Sequence, residues 1–220
     1  MKDSFGGLKR MGRGAEKNVY NDPGNEKRVI AEIRNSDERI RTPRQVKARF
    51  YLTKILHLLY PTFIPDIHAA ISGETDTLSM GKKTLDAEHL ELNRLREKVV
   101  AGHPTREEET RYREQLRKGE HKLSWDDAFM DYFQEIESLG VNFDPSPVNF
   151  GHDENSHLVY VDNSFEPWTI FSDGNIKKRF SAEKIREKIN GLGGAKKDTA
   201  MSYLARLETL YEEDMKELGQ

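Results

Sequence analysis

The spacing of apolar residues changes several times along the chain. Near the start they fall in short segments bounded by turn-formers, around Leu8–Met11, Lys17–Tyr20 and Arg28–Ile33, which predicts three strands. Asn21-Asp22-Pro23-Gly24-Asn25 joins the last two, with Pro and Gly where a hairpin turn wants them. From Thr42 the spacing becomes helical. Val46, Phe50, Leu52, Ile55, Leu56 and Leu59 share one stripe, Thr42 stands as the cap, Pro43 takes the first helical position, and Tyr60-Pro61 stops the run. Ile67–Ile71 and Thr77–Met80 then predict a second hairpin, turning through Gly73.

The pattern shifts again at Gly81. From Lys82 to Lys122 the sequence is crowded with Glu, Arg and Lys and is broken by Gly102-His103-Pro104, which predicts two exposed helices with solvated, i,i+4-paired faces. A more apolar helix follows. Ser124 is its expected cap, Asp126 and Asp127 suit its positive end, and Trp125, Phe129, Phe133 and Ile136 form its stripe up to Gly140. Val148–Phe150 and Leu158–Val161 predict a hairpin around His152-Asp153-Glu154-Asn155. Helices near Ser181–Asn190 and Lys196–Leu218 close the sequence. The glycines between them (Gly191, Gly193, Gly194) lack a feeding strand and phosphate-loop spacing, so they read as a cap and turn.

Composition narrows the classes. The 220 residues suffice for one two-lobed domain or two small ones. Only 35% are hydrophobic and 33% are charged, so much of the charge must sit on solvated helices. A net charge of −3 argues against a general nucleic-acid binder, which needs a positive excess to displace phosphate counterions. With no cysteine, disulfides, thiolate metal sites and cysteine catalysis are excluded. The absence of a signal-like or membrane-length apolar run sets the expectation of a cytoplasmic protein without a membrane partner.

Three segments carry candidate chemistry in a fixed order: Gly12-Arg13-Gly14-Ala15-Glu16-Lys17-Asn18-Val19 between two strands, Asp144-Pro145-Ser146-Pro147-Val148-Asn149 after the apolar helix, and Asp162 after the following hairpin. Glycines between strands let backbone approach a triphosphate without Cβ interference. An Asp and an Asn on a rigid loop can accept a hydroxyl proton and bind a metal, and a second Asp brought alongside can hold the metal that bridges phosphates.

In order and spacing these segments resemble the protein-kinase superfamily: a glycine-rich loop, then Asp-x-x-x-x-Asn, then the Asp that opens Asp-Phe-Gly. The resemblance covers about residues 5–165. It implies an α+β, two-lobed protein-kinase-like fold, with a small strand-rich N-lobe at 1–80 and a helical C-lobe at 81–220 that includes the charged segment 82–122. It implies ATP and Mg²⁺ as cofactors and an unidentified phosphate acceptor. Asp144 would be the base or orienter, Asn149 and Asp162 the metal ligands, and Gly12, Gly14 and Val19 the cover over the nucleotide. The chain departs from the family at the strand lysine, where Ala31 or Glu32 stands unless the register slips to Arg34. It departs again on the helix, which has no acid between Glu38 and Asp66 to pair with that lysine. Asn142-Phe143 replaces His-Arg, and Asn163-Ser164 follows Asp162. Gly12 to Tyr20 resembles the loop of the with-no-lysine kinases, in which a lysine at the place of Lys17 clamps the phosphates. The basic helix carries Arg44, Lys47, Arg49 and Lys54, either solvated or with one cation paired to Glu32. Two other functions fit the same residues: a pseudokinase that binds a protein partner, and a helical adaptor working through 82–122.

Overall fold

The computed structural model describes residues 8, 10–13, 17–33, 39–40, 42–71, 76–81, 85–142, 144–162 and 165–219. In chain order the elements are β1 (Arg10–Arg13), β2 (Lys17–Asn21), β3 (Arg28–Ile33), β4 (Arg39–Ile40), α1 (Pro43–Leu59), β5 (Ile67–Ile71), β6 (Asp76–Gly81), α2 (Ala87–Val100), α3 (Arg106–Ser124), α4 (Asp127–Ser138), β7 (Phe150–His152), β8 (Leu158–Tyr160), β9 (Trp168–Phe171), β10 (Ile176–Lys178), α5 (Ala182–Asn190) and α6 (Gly194–Glu217). A 3-10 turn occupies Pro147–Asn149. The chain is α+β. Five antiparallel strands form one sheet in the order β1-β2-β3-β6-β5, and β10-β9-β4 and β7-β8 form two smaller ones. No helix among the described residues is long and apolar enough to cross a membrane.

The expected β2–β3 turn forms as its residue types dictate. Asp22 Oδ1 accepts the Gly24 N–H and Asn25 Oδ1 accepts the Lys27 N–H, both at 2.9 Å. Helix α1 starts with a reciprocal cap: Thr42 Oγ1 accepts the Gln45 N–H at 3.2 Å, and Gln45 Oε1 accepts the Thr42 N–H at 2.9 Å. Its two buried faces belong to different cores. Val46 packs with Val29, Ala31, Ile67 and Leu78 of the large sheet, whereas Ala48, Leu52, Ile55 and Leu56 join the larger core with α4, α5 and α6. Helix α1 is therefore the element that both cores share.

Helix α6 holds α1 in place. Tyr203 packs against Phe50 and Tyr51, with ring centroids 6.4 and 5.8 Å away. Asp214, 1% exposed, accepts three hydrogen bonds: from Thr42 Oγ1 at 2.7 Å, Arg44 Nη1 at 3.1 Å and Trp168 Nε1 at 3.1 Å. One buried carboxylate thus joins the cap of α1, its first turn, β9 and α6.

Three sequence expectations need correction. Ser124 does not cap α4. Leu123 is drawn into the core, which carries α3 through Ser124, and Asp126 Oδ1 caps α4 by accepting the Phe129 N–H at 3.0 Å. Trp125 then lies between the helices, 78% exposed, and leaves the stripe. The strand expected at Val148–Phe150 begins only at Phe150, because Pro147 has no N–H to give a ladder and its fixed φ favours the 3-10 turn. The β4–β9–β10 sheet was not anticipated, although Trp168-Thr169-Ile170-Phe171 between Pro167 and Asp173-Gly174 carries a strand signal.

Replacing Asp214 with Ala would leave the Trp168 N–H and the Thr42 hydroxyl without their acceptor. A loss of about 3–5 kcal/mol in unfolding free energy is expected, the range for breaking a buried charged network. Glu213, exposed and also paired with Arg44, should cost under about 1 kcal/mol as Glu213→Gln. Urea denaturation of the two variants measures the contrast.

Candidate functional site

Helix α4 stops at Gly140, whose φ of +76° an L side chain would resist. The chain then enters the loop that carries the expected Asp and Asn. Asp144 is exposed, and its Oδ1 accepts the Ser146 N–H at 3.0 Å, which fixes the carboxylate against its own turn. The Asn149 N–H donates to the Ser146 carbonyl at 2.9 Å. Its side chain is buried, and Nδ2 reaches back to the Asp144 carbonyl at 3.4 Å. The five-residue interval between Asp144 and Asn149 is therefore closed on itself.

The β7–β8 hairpin supplies the third group. Phe150 pairs with Tyr160, and the Val161 N–H donates to the Asn149 carbonyl at 2.8 Å. Asp162, half-buried, comes immediately after that bond. The hairpin thus brings Asn149 and Asp162 to one end, with Asp144 on the adjoining turn. Its seat is aromatic: Phe150 and Tyr160 lie 5.2 Å apart, each 6.1 Å from Phe63, and the Tyr160 N–H donates to the Phe63 carbonyl at 2.8 Å.

The glycine-rich segment is only partly described. Gly12 sits in β1 opposite Val19, so it is a strand residue, while Gly14 lies outside the described residues. The Lys17 backbone opens β2 opposite Ile33, two places before Val19, which packs against the core formed by Val29 and Ala31. On β3, Ala31 is in that core, and Glu32 accepts from Asn18 Nδ2 and Tyr20 Oη, each at 3.1 Å. Arg34 lies outside the described residues.

The basic helix departs from expectation. Arg49 is 1% exposed, not solvated, and its Nη2 donates to Glu166 Oε1 at 2.9 Å. Glu166 Oε2 also accepts from Thr169 Oγ1 at 2.9 Å. Arg44 pairs with Asp214 and Glu213, and Lys54 with Asp66. Arg49 ties α1 to the segment that follows Asp162. No sequence signal marked Arg49, one of several basic residues on the helix, with its acid 117 positions away.

The charged helices α2 and α3, expected to be exposed with solvated faces, also pack against the loop on their inner side. A Cβ at Gly119 would lie 2.7 Å from Pro147 Cβ, so only glycine lets α3 come this close. Asp86 caps α2 through the His89 N–H at 2.8 Å and also accepts the His152 N–H at 2.6 Å. His89 is buried. Its Nδ1–H donates to the Phe150 carbonyl and its Nε2 accepts from Asn93 at 2.6 Å, which fixes a neutral ring. Burial lowers its pKa below the ordinary histidine value. Burial pushes the Asp86 carboxyl up, but the two N–H donors outweigh it and hold the pKa below the usual range.

The oxygen donors of Asn149 and Asp162 suit Mg²⁺, which takes one or two carboxylates and completes its shell with phosphates and water. Among the described residues no group of three His, Asp or Glu would hold a metal by itself.

No family model matches the chain, and no curated protein matches it. Two solved structures of the bifunctional kinase-methyltransferase WbdD are similar, one of them with a kinase inhibitor. They have 15% and 16% identity and TM-scores of 0.31 and 0.32, and cover 91% and 93% of this chain. This chain spans 43% and 44% of theirs. A likeness this slight assigns no activity to the chain.

Two outcomes are expected from this geometry. Arg49→Met should cost about 3–5 kcal/mol by removing the buried guanidinium from Glu166, and adding Glu166→Gln should recover at least about 1 kcal/mol. A double-mutant cycle in urea checks it. His89 should be neutral and Nδ1-protonated at about pH 7 by ¹⁵N NMR and should titrate below the ordinary histidine value. Because its folded pKa is depressed, the unfolded chain takes up the proton first. Its contribution to stability is therefore whole above about pH 6.5 and falls as the pH drops below that. Titration of His89 at or above the ordinary value would contradict the buried neutral ring.

Proposed function

We propose that this chain is a kinase-like protein that binds ATP with Mg²⁺ and transfers phosphate to an acceptor of unknown identity. The observation that carries this reading is the bond from the Val161 N–H to the Asn149 carbonyl at 2.8 Å. It ties the backbone beside Asp162 to Asn149 at the end of a hairpin whose preceding turn bears Asp144, which supports the reading. The order β1-β2-β3-β6-β5, with α1 between β3 and β5, supports a two-lobed kinase-like arrangement around that site.

Asn149 and Asp162 would hold Mg²⁺, which would neutralise charge on the phosphates. Asp144, oriented by the Ser146 N–H, takes the acceptor's proton as the hydroxyl oxygen bonds to the γ-phosphorus and the bond to ADP breaks. Gly12, Gly14 and Val19 cover the nucleotide, and Lys17 clamps the phosphates in place of a strand lysine. A second reading is a pseudokinase that binds nucleotide or a protein partner without turnover. It is favoured by β3, where Ala31 is in the core and Glu32 bonds Asn18 and Tyr20, so neither position supplies a phosphate cation.

Saturating ATP–Mg²⁺ at about 100-fold over Kd should stabilise the protein by about 2.7 kcal/mol. That gain should require the divalent cation and vanish in Asp162→Ala. Asp144→Asn should abolish turnover with nearly intact affinity. Lys17→Met should weaken binding at least about tenfold, or 1.4 kcal/mol, with Lys27→Met mild by comparison. A melting temperature unmoved by ATP–Mg²⁺ rejects the site. Binding without turnover in the parent protein, whatever the acceptor, selects the pseudokinase.

A further inference from the structure

A cleft of about 460 Å³ opens between α2, α3, the 147–149 turn and the β7–β8 hairpin. That volume is in the range of small-molecule sites. Its floor is apolar, made by Leu92, Leu123, Pro147, Phe150 and Leu158. The close approach of Gly119 to Pro147 builds one wall, and α3 bears a glycine within a helix, normally a cost, at that place.

The polar groups that line the cleft can be accounted for one by one. Asp86 is committed to the N–H groups of His89 and His152. Both ring nitrogens of His89 are bonded, to the Phe150 carbonyl and to Asn93. Glu88 and Lys122 pair with each other at 3.1 Å on the exposed rim. Two groups remain. Gln115 Oε1 is buried and accepts no hydrogen bond among the described residues. Lys118, exposed beside it on α3, has no acidic partner among them. A buried carbonyl without a donor is expensive, and natural proteins rarely leave one unexplained.

We infer that this cleft binds a compact, largely apolar molecule carrying one N–H or O–H donor and one acidic group. The donor meets Gln115 Oε1, the apolar body lies on Leu92 and Leu158, and the acid faces Lys118. This site stands apart from the phosphotransfer reading: none of its residues is a proposed ligand of nucleotide or metal. A molecule held there would nonetheless touch Pro147, two residues before Asn149.

Three probes separate the terms: indole-3-acetate, its 1-methyl derivative, which lacks the donor, and 3-methylindole, which lacks the acid. NMR titration of the full chain should give a Kd of about 1 mM for indole-3-acetate, as suits a ligand of its size, with shifts centred on Leu92, Gly119 and Gly151. N-methylation should weaken binding about tenfold, the effect of one lost hydrogen bond. That difference should disappear in Gln115→Met. Removing the acid should weaken binding several-fold, and Lys118→Met should abolish that difference. No binding at 10-fold over the expected Kd, equal binding of all three probes, or shifts centred elsewhere would each overturn the proposal. Titrating the same samples with ATP–Mg²⁺ tests the other site separately, so either reading can fail alone.

Discussion

The carboxylate of Asp214 joins the start of α1 to β9 and α6. It is buried, yet the Thr42 hydroxyl, the Arg44 guanidinium and the Trp168 indole all point at it. A charge in that position is tolerable only when its lone pairs are filled, and here they are filled by three donors, two from the start of α1 and one from β9. Because α1 is shared between the sheet's core and the larger helical core, whatever fixes α1 fixes both. Arg49 and Gln45 extend the same tie. Arg49 bonds Glu166, and Gln45 Nε2 donates to the Trp168 carbonyl at 2.9 Å. The first half of α1 is thus joined to the chain beyond Asp162 by polar bonds as well as by packing.

The Asp144–Asn149 turn is held by a different set of contacts. Aromatic rings support it from one side through Phe63, Phe150 and Tyr160, and α2 and α3 close on it from the other. Asp86 and His89 fasten α2 to β7, each with its hydrogen-bonding capacity used inside the latch. The charged segment that looks like a solvated appendage is therefore a support for the loop. Its charges lie on the outer faces, as in the Arg94–Glu91 pair, while Leu92 and Leu95 face inward.

What could be read from the sequence was what local chemistry determines. Thr42-Pro43 announces α1, the Asn21–Asn25 turn announces the first hairpin, and the interval from Asp144 to Asn149 survives as a closed turn. What escaped depends on distant partners. Arg49 and Asp214 look like ordinary surface charges until the fold buries them, and nothing local distinguishes Gly119 from any glycine in a polar helix. Trp125 failed in the opposite way: helical periodicity placed it in a core, but the competing claim of Leu123 ended one helix and began the next beside it.

The cap of α1 also has a consequence in time. Thr42 and the carboxylate that accepts its hydroxyl proton are separated by 172 positions. At about 5–20 residues per second, a ribosome takes roughly 10 to 30 s to make that stretch. Throughout that interval the shared helix has its local cap but neither its buried acceptor nor the aromatic face of α6. The two cores that meet on α1 cannot both be completed until α6 has been synthesised, so the nascent chain stays dependent on whatever shields exposed apolar surface until then.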